Sequence, residues 1–487
     1  MAKSVAKNAL YSGIRTISFM LFPLVTYPYV TRVLLADNLG KVDFSTSFVS
    51  YFTLIAGLGV TTYATREGAK LRDDRQRLDR FSSEVFTINM VSTVCAYALL
   101  ALFVLLWPHL EGYLSLIAIQ SLTIIGTTIG VEWVFGLEEE YGYITARTVV
   151  VQLISAILLF ALVKTSSDYV IYAAIVALSG VGGNVFNWFR ARRYTHIRLT
   201  WNFDYRRHLI PMLVLFGNAI AVTIYVNIDV SLLNVMRGDY EVGIYGLAVK
   251  IYRMVKQLLN AIITVALPRL SLYVGQQNRS AYDTLLGRMA HALIIVVTPA
   301  LTLLLLMSQD VVLVVGGEGF GAATPSLQIL SLACVFAVTA NFFVSAVLLP
   351  FGKETRVLRA TAWGAVINLA LNLLCIPVAG AAGAAVTTVM AEMCVTLLSI
   401  WNCRTDIDLR SLARSTQPAA VTAAVGMLAM CALHPALQQL PMPWHASFVI
   451  RGLALAGIYV CVLMARKDAL VHAALDSARQ RVRRRPS

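Results

Sequence analysis

The sequence predicts an all-α polytopic membrane protein with about fourteen transmembrane helices. Three observations carry this reading. The 487 residues are 58% hydrophobic and only 14% charged, too apolar for a water-soluble globule. The apolar residues fall into fourteen segments of bilayer-spanning size. Lys and Arg gather in alternate connections between those segments, as expected where the chain crosses a membrane repeatedly.

The segments lie at about 9–33, 44–64, 84–107, 113–136, 144–163, 168–189, 209–235, 242–267, 288–308, 326–350, 358–377, 381–402, 418–434 and 446–465. The first starts near Ala9. It is too long for a signal-peptide core and is followed by no small-residue cleavage site, so it is expected to remain as a span. Pro377 and Gly380 separate the eleventh segment from the twelfth. Pro23, Pro28, Pro211, Pro268 and Pro299 lie in or at the ends of spans, where they permit kinks. The connections are short. The longest outer one, Met307–Pro325, has no room for a folded domain.

The N-terminus, residues 66–83, 138–147, 190–207, 269–288, 353–359 and 404–414, and the tail 466–487 carry 31 of the 40 Lys and Arg. The intervening connections carry Arg32, Lys41, Lys164 and Arg237. This asymmetry predicts that both termini and the basic loops are cytoplasmic. The net charge of +14 resides in those loops, where it faces anionic lipid heads; nucleic acid is not expected as a partner. The seven cysteines show no CxxC or Cys/His ligand spacing and are read as small core residues, neither disulfides nor metal ligands. Walker, HExxH, GxSxG and dinucleotide signatures are absent, so neither an enzyme nor a cofactor is expected, apart from possible H+ or Na+ coupling.

The eighth segment, Val242–Leu267, breaks the pattern. Lys250, Arg253 and Lys256 sit in its middle, and Gln257, Asn260 and Thr264 extend the same polar stripe along a helix otherwise built of Ile, Leu, Val, Met and Ala. The three cations cost roughly 8–10 kcal/mol in hydrocarbon, while about a dozen aliphatic side chains return roughly 4–7. The stripe therefore needs protein or water beside it. It reads either as a cationic wall for an anionic ligand or as a set of buried ion pairs. Arg15 and Arg451 are the other cations inside segments, and Arg15 could snorkel instead. Asp229, Glu132 and Glu392 are the candidate buried acids, and hence the candidates for ion coupling. Five internal cations against three acids leave a positive surplus, which suits a phosphate or diphosphate. Asn368 and Asn372, four residues apart, are expected to hydrogen-bond between helices.

The halves of the chain echo one another. LGKVDFS at Leu39–Ser45 follows the first span, VGIYGLA at Val242–Ala248 follows the seventh, and Gly40 and Gly243 lie 203 residues apart. This suggests two six-helix lobes, 1–205 and 206–403, then a terminal helix pair, 404–466, and a basic tail, 467–487.

Four stretches resemble bacterial polysaccharide repeat-unit flippases of the Wzx type. They are PYVTRVLLADNLGKVDFSTSFVSYF with GLGVTTYATREGAK, EWVFGLEEEYGYITART, DVSLLNVMRGDYEVGIYGLAVKIYRMV with ALPRLS, and WGAVINLALNLLCIPVAGAAGAAVTTVMAE. The resemblance implies the fold of the multidrug/oligosaccharidyl-lipid/polysaccharide exporter superfamily, two six-helix lobes around a central cavity. It implies translocation of an undecaprenyl-diphosphate-linked oligosaccharide, for O-antigen, capsule or exopolysaccharide, from the cytoplasmic to the periplasmic leaflet of the bacterial inner membrane. A polymerase and a chain-length regulator of the same pathway are then possible partners. Cationic substrate contacts carry over best to Lys250, Arg253 and Lys256 and less directly to Arg15; Asn260, on the same stripe, is read as a further substrate-binding residue. The competing readings are a lipid II or multidrug exporter on the same fold and, less well supported, a membrane polysaccharide polymerase or ligase. A drug exporter favours an acid-rich cavity, and a polymerase a large outer loop; neither is present.

The orientation is testable. Cysteines placed at Arg75 and Gly319 are expected to divide: an impermeant thiol reagent applied to intact cells labels position 319 above parental background and leaves position 75 untouched until the membrane is opened. The reverse pattern inverts the topology.

Overall fold

The computed structural model describes residues 5–439 and 444–468. The basic tail falls outside them beyond Asp468. Every regular element among the described residues is helical. Twelve continuous stretches are long and apolar enough to cross a membrane. Two of them, Leu10–Ala69 and Glu354–Cys403, have 60 and 50 residues, about two to three times what a bilayer core accommodates. Each contains a break, at Leu35 and Gly380 respectively, that makes it two helices. The outcome among the described residues is fourteen helices of membrane-crossing size, one for each apolar segment.

They are named α1 (5–34), α2 (36–57, continuing as Val60–Ala69), α3 (Arg75–Leu106), α4 (Leu114–Gly130, continuing as Glu132–Leu137) and α5 (Tyr141–Leu162). Next come α6 (Tyr169–Val181, continuing as Asn184–Ala191), α7 (Tyr205–Arg237), α8 (Asp239–Gly275), α9 (Arg279–Leu306) and α10 (Thr324–Phe343). The last are α11 (354–379), α12 (381–403), α13 (Leu409–Gln438) and α14 (Trp444–Ala465).

Local chemistry sets many of these boundaries. Asp74, Asp204, Asn278 and Asp408 cap α3, α7, α9 and α13, each side chain accepting from a backbone N–H of the first turn. Backbone groups freed at the breaks find partners elsewhere, because hydrocarbon offers none. Where α2 is interrupted at Leu58 and Gly59, Ala56 O accepts from Asn89 Nδ2 and Ser92 Oγ of α3, both at 2.6 Å. α10 ends in a π turn, Val344–Leu348, and Tyr282 Oη donates to Ala346 O inside it at 2.9 Å.

By packing, the chain forms two compact units. The first comprises Met1–Gly246, Val315–Phe320 and Asn372–Ala381, and the second the remainder. The packing units and the sequence-repeat lobes are drawn on different grounds.

Within the first unit, one apolar core joins α2, α3, the continuation of α4 and α7 through Tyr63, Phe81, Trp133, Phe135 and Met212. The echoing glycines meet here. A Cβ on Gly40 would stand 1.8 Å from Asp239 O, and one on Gly243 would stand 2.0 Å from Ala36 O. The starts of α2 and α8 thus cross backbone to backbone, each supplying the glycine that the other requires. The connection from α6 to α7 lies along α3. The N–H groups of His196, Arg198 and Thr200 donate to Asp79, Ser83 and Thr87 at 2.8, 3.1 and 3.0 Å. Two residues of extended chain advance about 6.6 Å and four of helix about 6 Å, so the ladders stay in register.

In the second unit, α9, α13 and α14 share a core of Ile295, Met307, Ala419, Met430, Leu455 and Tyr459. All seven cysteines are free. Cys334 and Cys403 are core residues as expected, but Cys95, Cys431 and Cys461 lie on exposed surface. The reading of cysteines as uniformly core residues is corrected to that extent. A membrane helix exposes small apolar residues where a soluble one would bury them.

Candidate functional site

α8 has two sides. Leu247, Ala248, Ile251, Tyr252, Leu259 and Ile263 are buried. Lys250, Lys256 and Asn260 are half-buried, and Arg253, Gln257 and Thr264 are exposed. The polar stripe read from the sequence is therefore the accessible face of the helix. Lys256 is the best-defined member. Its Nζ lies 2.7 Å from Glu392 Oε1 of α12, donates to Tyr252 Oη at 3.2 Å and stands 5.4 Å from that ring's centre. Tyr252 Oη donates to the same carboxylate oxygen at 2.9 Å. The Glu392 side chain is 6% exposed and that of Lys256 28%, so the acid is sheltered while the ammonium remains reachable. The Asn260 Oδ1 is buried without a hydrogen-bond partner.

A second charged cluster lies in the first unit. Arg15 of α1 pairs with Glu132, just past the break in α4, at 2.7 Å. Arg147 of α5 approaches the same oxygen at 3.7 Å and donates to Asn184 Oδ1 at 3.0 Å. Its side chain is more buried than either partner's. Sequence reasoning missed Arg147 by counting it with the basic connection 138–147. It stands two turns inside α5, and two buried threonines beside it, Thr145 and Thr148, were the available signal.

Asp229 of α7 is buried. Its Oδ1 accepts from Asn372 Nδ2 at 2.6 Å and its Oδ2 from Tyr245 Oη at 2.7 Å. Asn368 is buried one turn away from Asn372. Arg451 of α14 pairs at 2.7 Å with Asp310, a residue the sequence placed in an outer connection.

Candidate anion binders and candidate ion carriers thus turn out to be one another's partners: Lys256 with Glu392, and Arg15 with Glu132. The positive surplus counted along the sequence is smaller in the folded chain, because Asp310 also neutralises a cation.

Residues 5–274, more than half of the chain, match the model of the family described as polysaccharide biosynthesis protein. The chain belongs to this family. A protein of Escherichia coli (strain K12) is 23% identical over 400 residues, covering 82% of this chain and 96% of its own. One of Shigella dysenteriae is 24% identical over 396 residues, covering 78% and 95%. Both are named "Putative O-antigen transporter". In fold, the chain is similar to the lipid II flippase MurJ in an inward closed conformation, with TM-score 0.76 at 13% identity over 95% of this chain and 100% of that one. It is also similar to an inward-facing multidrug resistance MATE family transporter of the MOP superfamily, with TM-score 0.55 at 13% identity over 84% and 99%. The resemblance to repeat-unit flippases is borne out, as is the all-α polytopic fold. The relatives are described as transporters and flippases, not as catalysts.

The ion pair of α8 and α12 makes a prediction. Glu392→Gln and Lys256→Gln are each expected to lower the stability of the detergent-purified protein by about 1–3 kcal/mol, since each leaves a partly buried group without its partner. The double variant is expected to lose less than the sum. Additive losses in thermal unfolding would show that the contact contributes nothing.

Proposed function

We propose that the protein is a flippase that moves an undecaprenyl-diphosphate-linked oligosaccharide repeat unit from the cytoplasmic to the periplasmic leaflet of the bacterial inner membrane, with both termini cytoplasmic. The observation that carries this reading is the accessible cationic stripe on α8, in a chain whose relatives are named as O-antigen transporters. A diphosphate and sugars cannot enter hydrocarbon unaided, whereas a polyprenyl tail is at home there. A cavity wall bearing Lys250, Arg253 and Lys256 offers the diphosphate charge and hydrogen-bond donors in a wet path. Arg15 and Asn260 are secondary contacts. Alternating access then carries the head group between the two sides while the tail stays in lipid.

Within this reading the three cations divide. Lys256 is tied to Glu392, whereas Arg253 is on the exposed side of α8. Arg253→Gln is expected to leave protein abundance unchanged and to cut export at least tenfold, with lipid-linked repeat units accumulating on the cytoplasmic side. Arg253→Lys is expected to retain partial export, keeping the charge but losing the bidentate fork. Lys256→Gln is expected to lower abundance as well as export. The readout is export normalised to folded protein, and a glutamine variant of Arg253 at the parental rate overturns the cationic-wall mechanism. A lipid II substrate presents the same diphosphate. Export that follows lipid II and not repeat units in reconstituted vesicles would favour that alternative.

Ion coupling is assigned to Asp229, whose buried carboxylate accepts from Tyr245 of α8 and Asn372 of α11, so that neutralising it would weaken both hydrogen bonds at once. Asp229→Asn is expected to abolish the dependence of flipping on an imposed H+ or Na+ gradient, while Glu132→Gln and Glu392→Gln leave it in place. Gradient dependence that survives in the Asp229 variant removes the assignment.

A further inference from the structure

A second cationic feature lies within the first unit, where α3 and α7 begin. Arg77, Arg80 and Arg207 line a cavity of about 370 Å³ together with Glu84, Asp204 and His208. Its floor is a buried relay: Tyr63 Oη lies 2.9 Å from His208 Nδ1, and His208 Nε2 lies 2.9 Å from Glu84 Oε2. The nearby carboxylates are occupied. Glu84 also takes Arg80 at 2.9 Å, Asp74 takes Arg77 at 3.1 Å, and Asp204 caps α7 through the N–H of Arg206. Arg77, Arg80 and Arg207 are nevertheless exposed, so three guanidinium groups crowd one opening.

The surroundings are those of a membrane interface. Trp201 is 73% exposed just before α7, with exposed Leu199 on the same connection, which is anchored to α3, and exposed Tyr205 at the first position of α7. On α7, Arg207, Ile210 and Val214 share one side of the helix, and Val214 is 71% exposed. Guanidinium groups at the mouth, aromatic rings close by in the chain and an apolar side continuing along α7 suit a phosphate head group followed by acyl chains.

We infer that this cavity binds the phosphate of an anionic membrane phospholipid, whose acyl chains lie along Ile210 and Val214 of α7. The chemistry recognised is a phosphate ester. A lipid is its source because only a lipid also satisfies the exposed apolar side beneath the arginines. The cavity shares no lining residue with the stripe that serves the proposed transport.

The experiment uses full-length protein purified from vesicles of phosphatidylethanolamine with one-quarter phosphatidylglycerol, with retained lipid counted by native mass spectrometry. Phosphatidylglycerol is expected to be retained over phosphatidylethanolamine. Arg207→Gln and Arg77→Gln are each expected to reduce that retention about fivefold, and the double variant about twentyfold. Arg193→Gln, an exposed arginine outside the cavity, controls for diffuse surface charge and is expected to leave retention unchanged. Three results overturn the inference: equal retention in the double variant, an equal loss in Arg193→Gln, or displacement of the lipid by millimolar inorganic phosphate. The last would assign the pocket to a soluble anion. Because these exposed side chains support no core, a monodisperse elution profile confirms that a loss is not unfolding.

Discussion

A charge in hydrocarbon has no solvent to fall back on, and this constraint orders the interior of the protein. Each ammonium or guanidinium at mid-membrane costs about 2.5–3.5 kcal/mol on an insertion scale. Lys256, Arg451 and Arg15 each meet this cost with a carboxylate far away in the chain: Glu392, Asp310 and Glu132 lie 136, 141 and 117 residues distant. Such pairs add little net stability over well-packed apolar residues. Their consequence is specificity. A helix that must present its cation to one particular acid can dock in one rotation and one depth, whereas an all-apolar helix could slide or turn among neighbours of similar shape.

The backbone obeys the same rule. Every break in a helix frees carbonyls or N–H groups that lipid cannot satisfy. Asn89 and Ser92 serve the interruption of α2, and Tyr282 serves the π turn of α10. At the break between α11 and α12, Gly380 has φ +52°, and the N–H of Ala381 donates to Glu241 at 2.7 Å. A Cβ on Gly380 would lie 2.6 Å from that carboxylate, so the turn needs glycine both for its dihedral angle and for the approach of its partner. Breaks and ion pairs together explain how a chain so uniformly apolar keeps a defined architecture.

What the sequence displayed and what it concealed follow from range. Helix number, the two-sided character of α8 and the echo of Gly40 in Gly243 were legible, because each is written in a contiguous stretch. That Gly40 and Gly243 face each other's helices was not, since an echo of two motifs does not say that they touch. Pairings were hidden for the same reason. Buried ion pairs were one reading of the α8 stripe, but that Lys256 meets Glu392 and Arg15 meets Glu132 shows only in the folded chain. Arg147 was hidden by a boundary: two turns of α5 were assigned to a loop, and an arginine in a loop carries no signal. The anchoring of residues 196–200 to Asp79, Ser83 and Thr87 was likewise invisible, because it joins backbone N–H groups to side chains with two different periods.

The pairing of Lys256 with Glu392 bears on how a cationic stripe lets go of an anionic ligand. Under the flippase reading, a phosphate that approaches Lys256 competes with Glu392 for the same ammonium, because Nζ already holds that carboxylate at 2.7 Å. Each anion weakens the other's hold, and by linkage anything that neutralises Glu392 strengthens the phosphate's. Tyr252 makes the exchange less costly. Its hydroxyl lies within hydrogen-bond distance of both groups and can stay with Glu392 once the ammonium turns away. Under that reading Lys256 is a cation with an internal competitor. Such a site can release a multiply charged ligand on the far side, which a permanently unopposed set of cations would hold too tightly to let go.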